Sequence, residues 1–178
     1  MAWKEISSHD VYKNRWIRVT EDIIRNEKGK ELAYGVVRKK PFALIIPWDG
    51  KNLTLVGQYR YPVESFSWEL PQGHFEHDSI EETARLELKE ETGLHAESIR
   101  KIAEFNLAPG LTDQICNIFL ATKLVEGETE FEESEIDMEI RVKKVTLEEF
   151  HSMIVKGEIK DGPTIAACGL ANVLELLK

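Results

Sequence analysis

The sequence predicts an α/β fold, an α/β/α sandwich around a mixed sheet with an antiparallel β-hairpin ahead of it. Three observations predict it. From residue 42 onward, short apolar runs of strand length interleave with helical patterns. A helix near residues 80 to 92 carries start and stop signals at both ends. At 178 residues and 42% hydrophobic, the chain can bury one full core plus an accessory element.

Taken in order, the elements begin with a separable stretch, residues 1–41. Two strand-like runs, Trp16 to Arg25 and Glu31 to Lys39, flank a turn sequence from Asn26 to Lys30. An isolated hairpin is marginal in water, so this one must pack on something. The main domain, residues 42–178, opens on Phe42 to Ile46, a continuous apolar run of buried-strand length. A turn from Trp48 to Asn52 leads to a second strand, Leu53 to Arg60. Further strands are expected at Ile99 to Leu107, Gln114 to Ala121 and Glu139 to Val145. Thr146 and Glu149 have capping-box spacing and open a helix to about Val155, while Pro163 precedes a final helix from about Thr164 to Leu177. The acidic run Glu126 to Glu139 reads as a solvated loop.

The helix near 80 to 92 is the informative one. Ser79 with Glu82 fits a capping box, Asp78 offers a second cap, and Gly93 stands where a left-handed C-terminal residue is wanted. Glu87, Glu90 and Glu91 fall within about 100° of arc on such a helix. A water-facing acidic helix would put apolar residues opposite them. The wheel puts Glu82, Arg85, Lys89 and Thr92 there instead, with Ala84, Leu88 and Leu86 flanking the glutamates. The carboxylates therefore face inward, where burial without a cation raises their pKa values and costs several kcal/mol. A hard divalent ion with oxygen ligands, Mg²⁺ or its substitute Mn²⁺, answers that need and leaves coordination room for phosphate.

These residues resemble the Nudix box, Gly-x5-Glu-x7-Arg-Glu-U-x-Glu-Glu-x-Gly-U, with U aliphatic. Aligned from the C-terminal end, Glu87, Leu88, Glu90, Glu91, Gly93 and Leu94 match. Leu86 stands where the motif has Arg, and the loop after Gly73 is one residue short, leaving Asp78 or Ser79 at the first Glu position. Both partners of one ion pair have thus changed together, which leaves no orphaned charge. The flanks resemble the branch that hydrolyses ADP-ribose and nucleotide sugars. They are Gln58 to Pro62, Trp68 to Gly73, the loop Pro109 to Gln114, and Asp161 to Ala167 at the opening of the last helix. The resemblance implies a Nudix sandwich and a Mg²⁺-dependent pyrophosphohydrolase. It also implies metal ligation by Glu87, Glu90, Glu91 and the Gln72 carbonyl, and substrate contacts from Arg60, Glu76, Leu111 and Asp113. A general base is implied in the loop ahead of the last strand, where Glu132, Glu133 and Glu135 compete, with Glu135 first and Glu133 next. In that branch the N-terminal sheet crosses to a partner subunit, so a homodimer is expected. Trp16, Phe42 and Tyr61 are the aromatic candidates for stacking on a base.

Composition sets the remaining bounds. No apolar stretch nears the ~18 residues of a membrane span, and the opening residues lack a secretory pattern, which points to the cytoplasm. Cys116 and Cys168 lack metal-ligand spacing and read as buried free thiols. A net charge of −9 disfavours a nucleic-acid surface, and with it the removal of RNA 5′ phosphates. A diphosphate must then be drawn in by metal and local cations, of which Arg60 is best placed. The alternative to catalysis is a Nudix-like module that binds a nucleotide without turnover. Loss of Arg at position 86 favours that alternative; the intact glutamates oppose it, as does the short stretch after Val145, too short for an appended DNA-binding domain.

Overall fold

The computed structural model describes residues 2–75, 79–127 and 140–178. The chain forms two compact units, Met1–Pro41 with Phe105–Ile115, and Phe42–Glu104 with Cys116–Lys178.

In the first unit β1 (Trp3–Lys13), β2 (Arg18–Asn26) and β3 (Glu31–Arg38) form an antiparallel sheet in chain order. The expected hairpin is β2 with β3. Its turn closes on Asn26, whose side-chain oxygen accepts from the N–H groups of Lys28 (2.9 Å) and Lys30 (3.0 Å). Gly29 takes a φ of 79°, where a side chain would be strained. The sequence pattern does not announce β1. All of its residues are exposed, so no buried face imposes alternation, and the ladder to β2 holds it. Residues Phe105–Ile115 join this unit through Tyr34, whose hydroxyl donates to the Gly110 carbonyl at 3.0 Å.

The second unit is built on β4 (Phe42–Pro47), which pairs antiparallel with β7 (Gln72–His74) and parallel with β9 (Ile115–Glu126). β8 (Leu94–Asn106) lies beyond β9, completing a mixed sheet in the order β7-β4-β9-β8. A second sheet runs β10 (Arg141–Thr146), β5 (Asn52–Arg60) and β6 (Ser65–Glu69), with antiparallel neighbours. Every residue of β4 is buried, which a strand sustains only with both faces covered. Ala43 and Ile45 join Ala84 and Leu88 of α1 (Ile80–Thr92) and Phe119 in one apolar cluster. By alternation Leu44 and Ile46 serve the other face. α3 (Gly162–Val173) also packs on β4, and α2 (Leu147–Val155) packs on β10 and β5. This is the predicted α/β sandwich around a mixed sheet, with an antiparallel N-terminal sheet.

Local signals place the helices. Ser79 Oγ accepts the Glu82 N–H at 3.0 Å, and Gly93 closes α1 at a φ of 70°. Thr146 and Glu149 form the reciprocal capping box on α2. Three elements differ from expectation. β9 runs to Glu126, five residues past the expected Ala121. β8 starts at Leu94, five residues early, directly beyond the α1 cap. α3 runs from Gly162 to Val173, not from Thr164 to Leu177. It starts early because Asp161 caps it and Pro163 sits in the first turn, where no N–H is needed. It ends early because Glu175 turns left-handed at a φ of 55°. Cys116 and Cys168 are free and buried, and burial pushes both thiols up to about 12.

The Thr164 hydroxyl, fully buried, accepts the Leu70 N–H at 2.9 Å and so fastens α3 to the segment between β6 and β7. Thr164→Val keeps the shape and orphans that N–H. A loss of about 1–3 kcal/mol is expected, read as a lower urea midpoint at unchanged slope. An unshifted midpoint would mean the bond contributes nothing net.

Candidate active site

α1 buries Thr83, Ala84, Leu88 and Glu91. Glu91 lies on the same inward stripe as Ala84 and Leu88, seven and three residues on, and is 4% exposed. Glu87 and Glu90 are half-buried, whereas Glu81, Glu82 and Arg85 are exposed. The inward orientation read from the wheel thus holds for Glu91 and partly for its neighbours.

Two backbone groups of β7 meet these carboxylates. The Gln72 N–H donates to Glu91 Oε2 at 3.0 Å. Gly73 lies so close beneath Glu87 that a Cβ there would fall 1.6 Å from Glu87 Oε1. Only a glycine leaves room for the carboxylate in that place.

Arg60, at the end of β5, is held by Glu69, at the end of β6. Its Nε donates to Oε1 at 3.0 Å and to Oε2 at 3.1 Å, and its Nη2 to Oε2 at 2.5 Å. The ladder pairs Arg60 with Ser65, Gln58 with Ser67 and Val56 with Glu69 on one face, so the guanidinium reaches back along the strand. Gln58, Ser67 and Glu69 are all buried, giving a polar stripe where a core would be apolar. The Gln72 side-chain amide donates to Glu69 Oε2 at 2.9 Å. Burial works against the Arg60 charge, but the bonds and charge of Glu69, with Glu91 and Asp161 behind it, hold the guanidinium above its ordinary value. Burial also pushes Asp161 up, opposed by its bonds to Thr164. The sequence offered one signal for this network, a carboxylate at Glu69 beside the apolar Trp68 and Leu70.

The donor set suits a hard cation: three carboxylates on one helix, a strand carbonyl at Gln72, and a glycine cradle that keeps Glu87 close. Among the described residues, however, no three His, Cys, Asp or Glu side chains gather into a metal-holding group. Glu91 is engaged by the Gln72 N–H and Glu69 by Arg60.

Arg60, Gln72, Glu87, Glu90 and Glu91 all belong to the second unit, where the Gln72 N–H meets Glu91 and Gly73 lies against Glu87. Leu111 and Asp113 belong to the first unit, where Leu111 is exposed and Asp113 accepts from Arg38 Nη1 at 3.2 Å and from the Lys39 N–H at 3.3 Å. Glu76, Glu132, Glu133 and Glu135 lie outside the described residues. Of the stacking candidates, Phe42 is buried in the core, whereas Trp16 and Tyr61 are exposed.

A sandwich whose helix turns glutamates onto the backbone of an adjoining short strand marks a small α/β enzyme domain. Residues 38–168 match the family described as NUDIX domain, and residues 3–37 the one described as nucleoside diphosphate sugar hydrolase N-terminal domain. The chain belongs to the Nudix family and is a Nudix hydrolase. ADP-ribose pyrophosphatase of Bacillus subtilis (strain 168) is 30% identical over 179 residues, covering 98% of this chain and 95% of its own. GDP-mannose pyrophosphatase of Yersinia enterocolitica is 32% identical over 144 residues, covering 76% and 75%. A crystal structure of an ADP compounds hydrolase shares the fold at a TM-score of 0.85 and 20% identity, covering 98% of this chain and 94% of the other. No helix among the described residues is long and apolar enough to cross a membrane.

Proposed function

We propose that this Nudix hydrolase is a Mg²⁺-dependent pyrophosphohydrolase acting on a nucleoside diphosphate joined to a sugar. Water adds across the phosphoanhydride bond, releasing a nucleoside monophosphate and a sugar phosphate. The observation that carries the reading is the meeting of Glu91 and Glu87 with the backbone of Gln72 and Gly73. The relatives that act on ADP-ribose and GDP-mannose support the substrate class, since both are nucleoside diphosphates linked to a sugar.

Glu87, Glu90, Glu91 and the Gln72 carbonyl would hold the metal, which supplies charge neutralisation on the diphosphate and lowers the pKa of bound water. The residues themselves have separate tasks. Arg60 binds a phosphate oxygen through its guanidinium. Glu135, or else Glu133 or Glu132, takes the proton from the attacking water. Glu76, Leu111 and Asp113 complete the substrate contacts. Residues 1–41 act as an arm ahead of a hydrolase domain of residues 42–178 and pair two copies into a homodimer. Exposed Trp3, Ile6, Val11 and Tyr12 on β1 support that role, because apolar side chains of this size gain by being covered. The same reading places the protein in the cytoplasm, where nucleotide sugars and Mg²⁺ are available.

The test is incubation with Mg²⁺ and a panel of nucleotide sugars, ADP-ribose and dinucleoside polyphosphates, with product identification. A nucleoside monophosphate and a sugar phosphate are expected from the first two classes. Tight binding of one compound with turnover of none would replace the enzyme by the non-catalytic sensor.

A further inference from the structure

We propose that Glu69 is a positioning residue, which with Gln72 fixes Arg60 so that its Nη1 edge receives the substrate diphosphate and its charge stays off Glu91. The inference rests on the pyrophosphohydrolase reading and deepens it. Glu69 is not on the acidic helix, and its side chain, 3% exposed, touches solvent hardly at all. Its two oxygens take the Nε and Nη2 groups of Arg60, and Oε2 also takes the Gln72 amide at 2.9 Å. Nη1 makes no hydrogen bond among the described residues, and the Arg60 side chain remains 38% exposed. One edge of the planar fork is therefore locked, while the other can serve an anion.

The lock matters because Arg60 has rivals for its charge. Glu91 and Asp161 both attract it electrostatically. Freed from Glu69, a flexible guanidinium beside Glu91 would pair there and neutralise a carboxylate that the site needs. Gln72 joins the two halves of the arrangement, since its side chain holds Glu69 while its backbone N–H holds Glu91 at 3.0 Å. A preset arginine also loses less rotamer freedom on meeting a phosphate than a loose one.

The experiment is a double-mutant cycle on Glu69→Gln and Arg60→Gln. It is read by KM and kcat on the substrate found in the panel, and by calorimetric binding of a methylene-bridged nucleoside diphosphate sugar with Mg²⁺. Gln at position 69 keeps the shape and one acceptor but loses the charge. It is expected to raise KM and weaken analogue binding by on the order of tenfold, with kcat changed much less. In the R60Q background the same change should alter either value less than about twofold, because the group it acts through is gone. An unchanged KM for E69Q, or an equal tenfold loss in both backgrounds, overturns the proposal. If E69Q alone does not fold, R60Q against R60Q/E69Q decides, since removing both charges leaves no orphaned ion. Wild-type protein that binds the analogue but hydrolyses none of the panel substrates would sink the pyrophosphohydrolase reading, and the binding cycle would still judge Glu69.

Discussion

Glu91→Gln is expected to reduce turnover by on the order of a thousandfold while thermal stability stays level or rises. The two halves of that result have different causes. Gln matches Glu in volume and retains an oxygen for the Gln72 N–H, so the 3.0 Å bond has a replacement acceptor. A carboxylate only 4% exposed carries a desolvation cost that the neutral amide avoids, so the fold loses nothing by the exchange. If Glu91 ligates the metal, the exchange removes one of the negative charges that a hard cation favours around it. A residue kept for stability alone would show the reverse, a lower melting temperature and a normal rate. The check pairs kcat with thermal unfolding, each with and without Mg²⁺. Metal binding to the native state should raise the wild-type melting temperature and raise that of the variant less. Near-normal turnover would mean that the metal is held elsewhere.

How much of this was legible in the sequence depends on the range of the interactions involved. The caps of α1 and α2 act within three or four residues and are written in Ser79, Glu82, Thr146 and Glu149. The Asn26 to Lys30 turn is equally local. Inward placement of Glu91 was readable because a helical wheel depends only on spacing. Long-range facts were not readable from spacing. Nothing in the irregular, wholly exposed run of β1 predicts a strand, since its ladder partner β2 creates it. The segment Phe105–Ile115 belongs with the N-terminal unit through bonds between residues some seventy positions apart, such as Gln114 to the Lys40 carbonyl. The pairing of Arg60 with Glu69 required the β5 to β6 register, and the role of the Gln72 side chain required both. Leu86 was legible as a departure from the family motif. It is half-buried on α1.

Gly73→Ala should separate the site from the scaffold most sharply. The atoms that an added Cβ would meet are Glu87 Oε1 at 1.6 Å, Cδ at 1.8 Å and Oε2 at 2.4 Å, all at the far end of one flexible side chain. Relief therefore needs only a rotation of Glu87, at a cost of about 1 kcal/mol, and β7 can keep its pairing with β4. The displaced carboxylate no longer occupies its place over the strand. If Glu87 binds the metal there, kcat falls by roughly a hundredfold or more, with little change in melting temperature. Gly57 is the contrasting case, because a Cβ there would meet Phe66 Cζ at 2.6 Å and Trp68 Cε3 at 2.8 Å. Those rings pack edge to face at 5.4 Å, and moving Phe66 gives up that contact, so Gly57→Ala should cost stability first. A second substitution tests the geometry directly. Shortening the crowded side chain in Gly73→Ala/Glu87→Asp gives back some of the lost space and should recover part of the rate, whereas Glu87→Asp alone should only lose activity. Full activity in Gly73→Ala would show that Glu87 does its work from another position, or does none.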